Sequence, residues 1–119
     1  VLNGSVDRIS EREVFRRFNR SSHRARSGPL SVVFVVRESS QRPAVAFAIG
    51  RKVGGATVRN RLRRRLRAVS RELVHEGRLP TGWYLVIAAP SAGELSYEVL
   101  GEHFRLASAA AHARAATVE

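Results

Sequence analysis

Cysteine and methionine are both absent from the 119 residues. The first absence excludes disulfides and every zinc site built on thiolates. The second extends to position 1, so the start reads as processed or as a fragment, and residues 1–6 bear no weight. Long apolar runs are missing too: no stretch approaches the roughly 18–20 residues that cross a bilayer. Val1–Asp7 lacks the basic-then-apolar layout of a signal peptide, so a cytoplasmic protein without a membrane partner is expected. Acidic side chains are scarce, 10 against 21 Lys and Arg, which leaves a formal charge of +11. A small chain with that excess attracts polyanions beyond contact range, and nucleic acid is the usual one.

Chemistry-bearing clusters are also lacking. His23, His75, His103 and His112 are scattered without metal-ligand spacing, and the acids form no obvious dyad. No serine stands in a nucleophile-elbow pattern. No metal site and no catalytic residue are therefore expected in this chain, and any reaction it serves must draw its chemistry from a partner.

What is present is enough apolar sequence, 44% of residues, for one modest core, read as a single domain over residues 1–119. Ser10-Glu11-Arg12-Glu13 has the form of a capping box, with Ile9 and Val14 placed as a hydrophobic staple. A helix from about Glu11 to Asn19 follows, carrying Val14, Phe15 and Phe18 on one side. Part of Arg20–Ser27 reads as a short edge strand before the Gly28-Pro29 turn. The β-branched run Ser31–Arg37 and the apolar run Ala44–Ile49 are strands, the second expected antiparallel to the first. Ala56–His75 is a long helix, Trp83–Ala89 a buried strand, and Leu95 and Leu100 staple a Ser96 cap at the start of a last helix. The order α-β-(β)-β-α-β-α is an α+β sandwich, a small sheet with helices packed on it.

The long helix is the most informative stretch. Six of the nine residues from Arg59 to Arg67 are arginine, yet an apolar stripe survives among them. At about 100° per residue, Val58, Leu62, Leu66, Val69 and Leu73 fall within an arc of about 80°, a seam that faces a core. Asn60, Arg64, Arg67 and Arg71 occupy the opposite side, flanked by Arg61 and Arg63, while Arg59 and Arg65 border the seam. A merely solvated face fits poorly. Like charges at i,i+3 and i,i+4 destabilise a helix by a few tenths of a kcal/mol per pair, and only Glu72 lies nearby with opposite sign. Arginine is also the side chain whose planar fork matches phosphate.

Gly50-Arg51-Lys52-Val53-Gly54-Gly55 leads into this helix. Its lysine precedes the last glycines, which is the wrong order for a nucleotide-binding P-loop. The turn could still bring Arg51 and Lys52 to a backbone phosphate beside the helix start; a plain strand-to-helix turn reads equally well. Among the aromatics, Phe15 and Phe34 could share one face and stack a base of single-stranded RNA, although spacing alone favours core packing for both.

The run Arg51-Lys52-Val53-Gly54-Gly55-Ala56-Thr57-Val58-Arg59-Asn60-Arg61-Leu62-Arg63-Arg64 resembles the signature of the bacterial ribonuclease P proteins, with its Arg-Asn-Arg centre. The first helix, the two strands before the run, the strand Trp83–Ala89 and the closing helix follow that family's order along nearly the whole chain. The sequence departs from the family's usual pattern at Asn19, at Ser21-Ser22 where a glycine is common, and at Arg51, where the charge is kept. The resemblance implies an α-β-β-β-α-β-α sandwich whose small mixed sheet has a left-handed crossover around the arginine helix, against the general rule. It implies a ribonucleoprotein endonuclease that removes the 5′ leader of precursor tRNA, in which a catalytic RNA subunit using magnesium does the chemistry. It maps RNA contact onto Arg59, Asn60, Arg61, Arg63, Arg64 and Arg67, with Lys52 and Ala56 at the helix entrance. It maps leader binding onto Phe15 and Phe34. Arg51 and Arg71 join the RNA-binding set by position.

Composition alone would also suit a structural RNA-binding protein of the ribosomal kind. A DNA regulator fits less well, because a helix that reads the major groove mixes base-reading Asn, Gln, Ser and Thr with fewer cations.

Overall fold

The computed structural model describes residues 6–9, 12–37 and 42–117. In chain order its elements are β1 (Asp7–Arg8), α1 (Arg12–Arg20), β2 (Arg24–Ser27), β3 (Leu30–Val35), β4 (Pro43–Ile49), α2 (Ala56–His75), β5 (Gly82–Ala88) and α3 (Tyr97–Thr117). Short 3-10 turns lie at Arg51–Val53 and Pro90–Glu94. The architecture is the expected α+β sandwich, with the two-residue β1 added in front.

The sheet order is β1-β4-β5-β3-β2. β3 pairs antiparallel with β2 and with β5, while β4 pairs parallel with β5 and with β1. β4 is antiparallel to β3, as expected, but the two are not neighbours in the sheet. β5 lies between them and takes the hydrogen bonds of both. A parallel pair needs a long crossover between its strands, and α2 supplies it between β4 and β5.

The helices divide over the two faces of this sheet. On one face Leu30, Val32, Phe34, Val45, Ile49, Tyr84 and Val86 pack against Leu62, Leu66, Val69 and Leu73 of α2 and Leu100, Phe104 and Ala107 of α3. On the other, Val33, Val35 and Ala44 pack with Val14 and Phe18 of α1 and with Ile9. α1 has only 9 residues and cannot cover that face, so Trp83, Leu85 and Ile87 stay half-buried on it. β3 is buried on both faces, which explains its unbroken apolar run from Val32 to Val35. Ile9 and Val14 are both buried in one cluster, as a staple requires; Ser10 and the capping box lie outside the described residues.

Two helix ends explain where α2 and α3 sit. The Ser96 hydroxyl accepts the Val99 N–H at 3.2 Å, the N-cap read from the sequence. At the C-terminus of α2, Gly77 has φ +73°, and the Arg78 N–H reaches back to Leu73 O at 2.7 Å. That is a Schellman closure, which needs the left-handed residue glycine supplies.

The seam of α2 is buried at Leu62, Leu66, Val69 and Leu73, whereas Val58, its first member, is 40% exposed in the opening turn. Leu62 is 1% exposed. Leu62→Ala should therefore lower unfolding free energy by about 2–4 kcal/mol, through lost transfer energy and the cavity left behind. Urea unfolding monitored by circular dichroism measures it, and a loss below about 1 kcal/mol would mean that the helix is not anchored there.

Candidate nucleic-acid interface

The buried seam holds α2 against the sheet and so decides where its other side points. Arg51, Lys52, Ala56, Asn60, Arg61, Arg64 and Arg71 are exposed, and Arg59, Arg63 and Arg67 are half-buried along the flank of the same surface. Two members are shaped by neighbours on the protein. Arg59 Nε donates to Gly54 O at 3.1 Å, tying the helix to the glycine turn before it. Arg63 Nη1 donates to Asn60 Oδ1 at 3.0 Å, which leaves the Asn60 amide to face outward as a donor. Arg65 serves packing instead. Its Nη1 donates to Leu95 O at 3.0 Å and its guanidinium lies 5.9 Å from the Tyr97 ring, joining α2 to the start of α3.

Among the described residues no arginine of α2 is ion-paired with a carboxylate. The nearby acid, Glu72, instead accepts the Tyr97 hydroxyl at 2.9 Å. Burial, that hydrogen bond and the Glu72 charge push the Tyr97 phenol up to about 12, so it stays protonated at neutral pH. The guanidinium of Arg67 is pulled below its ordinary value, first by burial and then by repulsion from Arg8, Arg71 and Arg63. A surface that keeps like charges this close without counter-charge gains when an anion binds. Arginine forks suit the geminal oxygens of a phosphodiester.

Beside the arginines runs a groove of about 300 Å³ lined by Arg8, Ile9, Phe15, Val45, Ala46, Phe47, Arg63 and Arg67. Phe15 is 38% exposed there, its ring edge-on to the buried Phe18 at 5.9 Å. Arg67 lies 5.4 Å from the Phe47 ring centre. The groove thus combines guanidinium groups with apolar and aromatic walls, the pairing that single-stranded nucleic acid uses for phosphate and base.

Phe34 is not part of it, and the expectation that it shares a face with Phe15 is corrected. Phe34 is 3% exposed and packs edge-on against Tyr84 and His112, each at 5.1 Å, on the sheet face that α3 covers. Alternation along β3 sends Val33 and Val35 to the α1 face and Phe34 away from it. The aromatic that joins Phe15 in the groove is Phe47, which the sequence reading left in the core, and Arg8 joins through the parallel pairing of β1 with β4. Nothing in a two-residue strand announces that pairing in advance.

Two of the four histidines are used in packing. Ser27 Oγ and His103 Nδ1 share a hydrogen bond of 2.8 Å between β2 and α3, and His112 packs edge-on against Phe34. Among the described residues no three His, Asp or Glu side chains converge as a metal site, and no described helix is long and apolar enough to cross a membrane.

Comparison with known proteins adds a family to this geometry. The family model described as Ribonuclease P matches residues 5–112. The ribonuclease P protein component of Kocuria rhizophila is 40% identical over 94 residues, which span 77% of this chain and 81% of that one. That of Thermobifida fusca is 38% identical over 102 residues, 79% of this chain and 68% of that one. Among solved structures, the RNase P protein of Staphylococcus aureus superposes with a TM-score of 0.72 over 93% of this chain and 95% of that one, at 19% identity. The RNase P protein from Thermotoga maritima gives 0.70 over 82% and 91%, at 22% identity. At such identities these two likenesses speak for the fold alone.

Proposed function

The chain belongs to the ribonuclease P protein family, and from that membership we propose that it is the protein subunit of a bacterial ribonuclease P, binding the catalytic RNA and the 5′ leader of precursor tRNA. The observation that carries this is the arginine surface of α2, held outward by a buried seam and free of carboxylate partners among the described residues. Such a surface binds a phosphate backbone and does not cut it. In this reading the phosphodiester chemistry belongs to the RNA, with magnesium ions on that RNA supplying charge stabilisation. The protein supplies binding and orientation.

Within that division of work, Arg61, Arg64, Arg67 and Arg71 take structured RNA, with Arg51, Lys52 and Ala56 at the helix entrance. Arg59 and Arg63 hold the turn and Asn60 in place while adding charge at the edge. The leader lies along the groove where Phe15 and Phe47 offer apolar surface and Arg8 and Arg67 offer charge. Each base stacked on an aromatic would add about 1–3 kcal/mol of binding. Because the groove is open to a strand and to no duplex reading, its preference is for unpaired nucleotides of any sequence.

Reconstitution tests the reading. Precursor tRNA cleavage by a bacterial ribonuclease P RNA at low magnesium should be stimulated by this chain, and the stimulation should grow with leader length and then level off. Phe15→Ala should reduce the leader-length dependence while leaving cleavage of a one-nucleotide leader unchanged. Tight RNA binding without any effect on cleavage would assign the chain a purely structural RNA-binding role.

A further inference from the structure

α1 presents two different flanks to its surroundings. Phe15 and Arg17 are two residues apart, hence about 200° around the helix, and Val14 and Phe18 fill the buried side between them. Phe15 points into the groove beside α2. Arg17 points the other way, onto the part of the sheet that the short helix leaves open, where its guanidinium lies 5.0 Å from the Trp83 ring centre. Arg37, just past β3, lies 5.8 Å from the same ring, with its Nη1 donating to Arg42 O at 3.1 Å. Next to them is a hollow of about 290 Å³ lined by Arg17, Arg20, Ser21, His23, Val35 and Val36.

We infer that this flank is a second RNA site, one that grips the phosphodiester backbone of a single strand on the side of α1 away from the arginine helix. The inference rests on the RNA-binding reading above. Trp83 contributes as a buttress. Long arginine side chains lose much rotamer freedom when they bind, and contact with the half-buried indole restricts them beforehand. Two guanidinium groups already against one ring leave little of its face for a base, so the ligand chemistry is phosphate.

The floor of the hollow is rigid as well. Ser21 Oγ donates to Phe34 O at 2.8 Å and accepts the His23 N–H at 3.1 Å, while Arg24 Nε donates to Ser21 O at 3.2 Å. The nearest acid on α1, Glu13, is taken by Arg16 and Arg20 at its exposed edge, and Arg17 has no carboxylate partner among the described residues. A strand crossing α1 from the Phe15 side would meet this second set of cations on leaving it.

Trp83 is the sole tryptophan of the chain, so its emission reports on the site directly. The whole chain is titrated with single-stranded oligouridylate, following Trp83 emission and the anisotropy of a labelled strand. A saturable emission change is expected in the wild type, and it should persist in the double variant Arg64→Ala, Arg67→Ala. In Arg17→Gln, Arg37→Gln, oligouridylate affinity should fall about tenfold at 0.2 M salt, with the salt slope shallower by about 1.4, the share of two single-strand phosphate contacts. Arg17→Lys, Arg37→Lys should recover part of the loss.

Binding by anisotropy with unchanged Trp83 emission, and unchanged affinity in the Gln variant, would overturn the second site and leave the arginine helix standing. An equal emission change with inorganic phosphate at the same phosphate concentration would overturn the strand and leave a simple anion site. No binding of oligouridylate or ribonuclease P RNA by either readout would remove the RNA-binding reading itself. Should the Gln variant lose cooperative unfolding, the wild-type emission titration and the Lys variant decide the matter.

Discussion

Gly82→Ala should destabilise the protein by about 3–5 kcal/mol, more than the same change at any other described glycine. A Cβ at Gly82 would stand 2.0 Å from Phe34 Cε1 and 2.6 Å from Cζ, and the residue has φ +153°, a backbone conformation that side chains rarely adopt. Phe34 cannot swing away. Its ring is held between Tyr84 and His112, and Tyr84 is itself fully buried with its hydroxyl donating to Pro80 O at 2.7 Å. Burial also raises the pKa of that phenol, which keeps it a neutral donor. The sheet therefore contains a slot, one glycine wide on β5, into which the β3 aromatic fits, a recurring use of glycine inside a strand. Since a domain of this size has roughly 5–15 kcal/mol of total stability, the variant should show a large drop in urea midpoint. Phe34→Leu placed in the Gly82→Ala background should recover part of it, because the two changes act on one volume and are not additive. A Gly82→Ala protein as stable as wild type would mean that Phe34 packs elsewhere.

That slot also shows where reading from sequence stops. α2 was legible to its ends, since Gly54-Gly55 before Ala56 and Gly77 after His75 bracket an apolar seam with helical spacing. The Ser96 cap was legible for the same reason: a cap is local chemistry. Sheet order was not. Both Ser31–Arg37 and Ala44–Ile49 read as buried strands, but nothing within either says that β5, some 40 residues later, will lie between them. The loss of Phe34 from the candidate site follows from one step of alternation. With β3 apolar on both faces, its pattern does not say which side each residue takes. Phe47 and Arg8 were missed because their place in the groove depends on β1 pairing with β4, a contact between two residues of one strand and two of another. The arginine face of α2 needed no such information, because it is the complement of the helix's own seam.

Arg64→Ala with Arg67→Ala is the change expected to weaken RNA binding most. Both lie on the side of α2 away from the buried seam, and neither makes a hydrogen bond or ion pair within the described protein. The Arg67 guanidinium does lie over the Phe47 ring, so a small stability loss, under about 1 kcal/mol, accompanies the binding effect. Removing like charge works in the opposite direction. Arg63 and Arg71, which after burial and together with Arg8 lower the Arg67 guanidinium, are relieved when it goes. Stability should therefore change little, and affinity for ribonuclease P RNA should change a great deal. Each phosphate contact contributes about 0.7–0.9 to the slope of log affinity against log salt. Two lost contacts make the slope shallower by about 1.4–1.8, which is about 25- to 60-fold weaker binding at 0.1 M salt and almost no difference near 1 M. This dependence separates lost charge from misfolding, since a partly unfolded variant would be weaker by the same factor at every salt concentration. If affinity and slope both matched wild type from 0.05 to 0.5 M, the outward side of α2 would not be the surface that holds RNA.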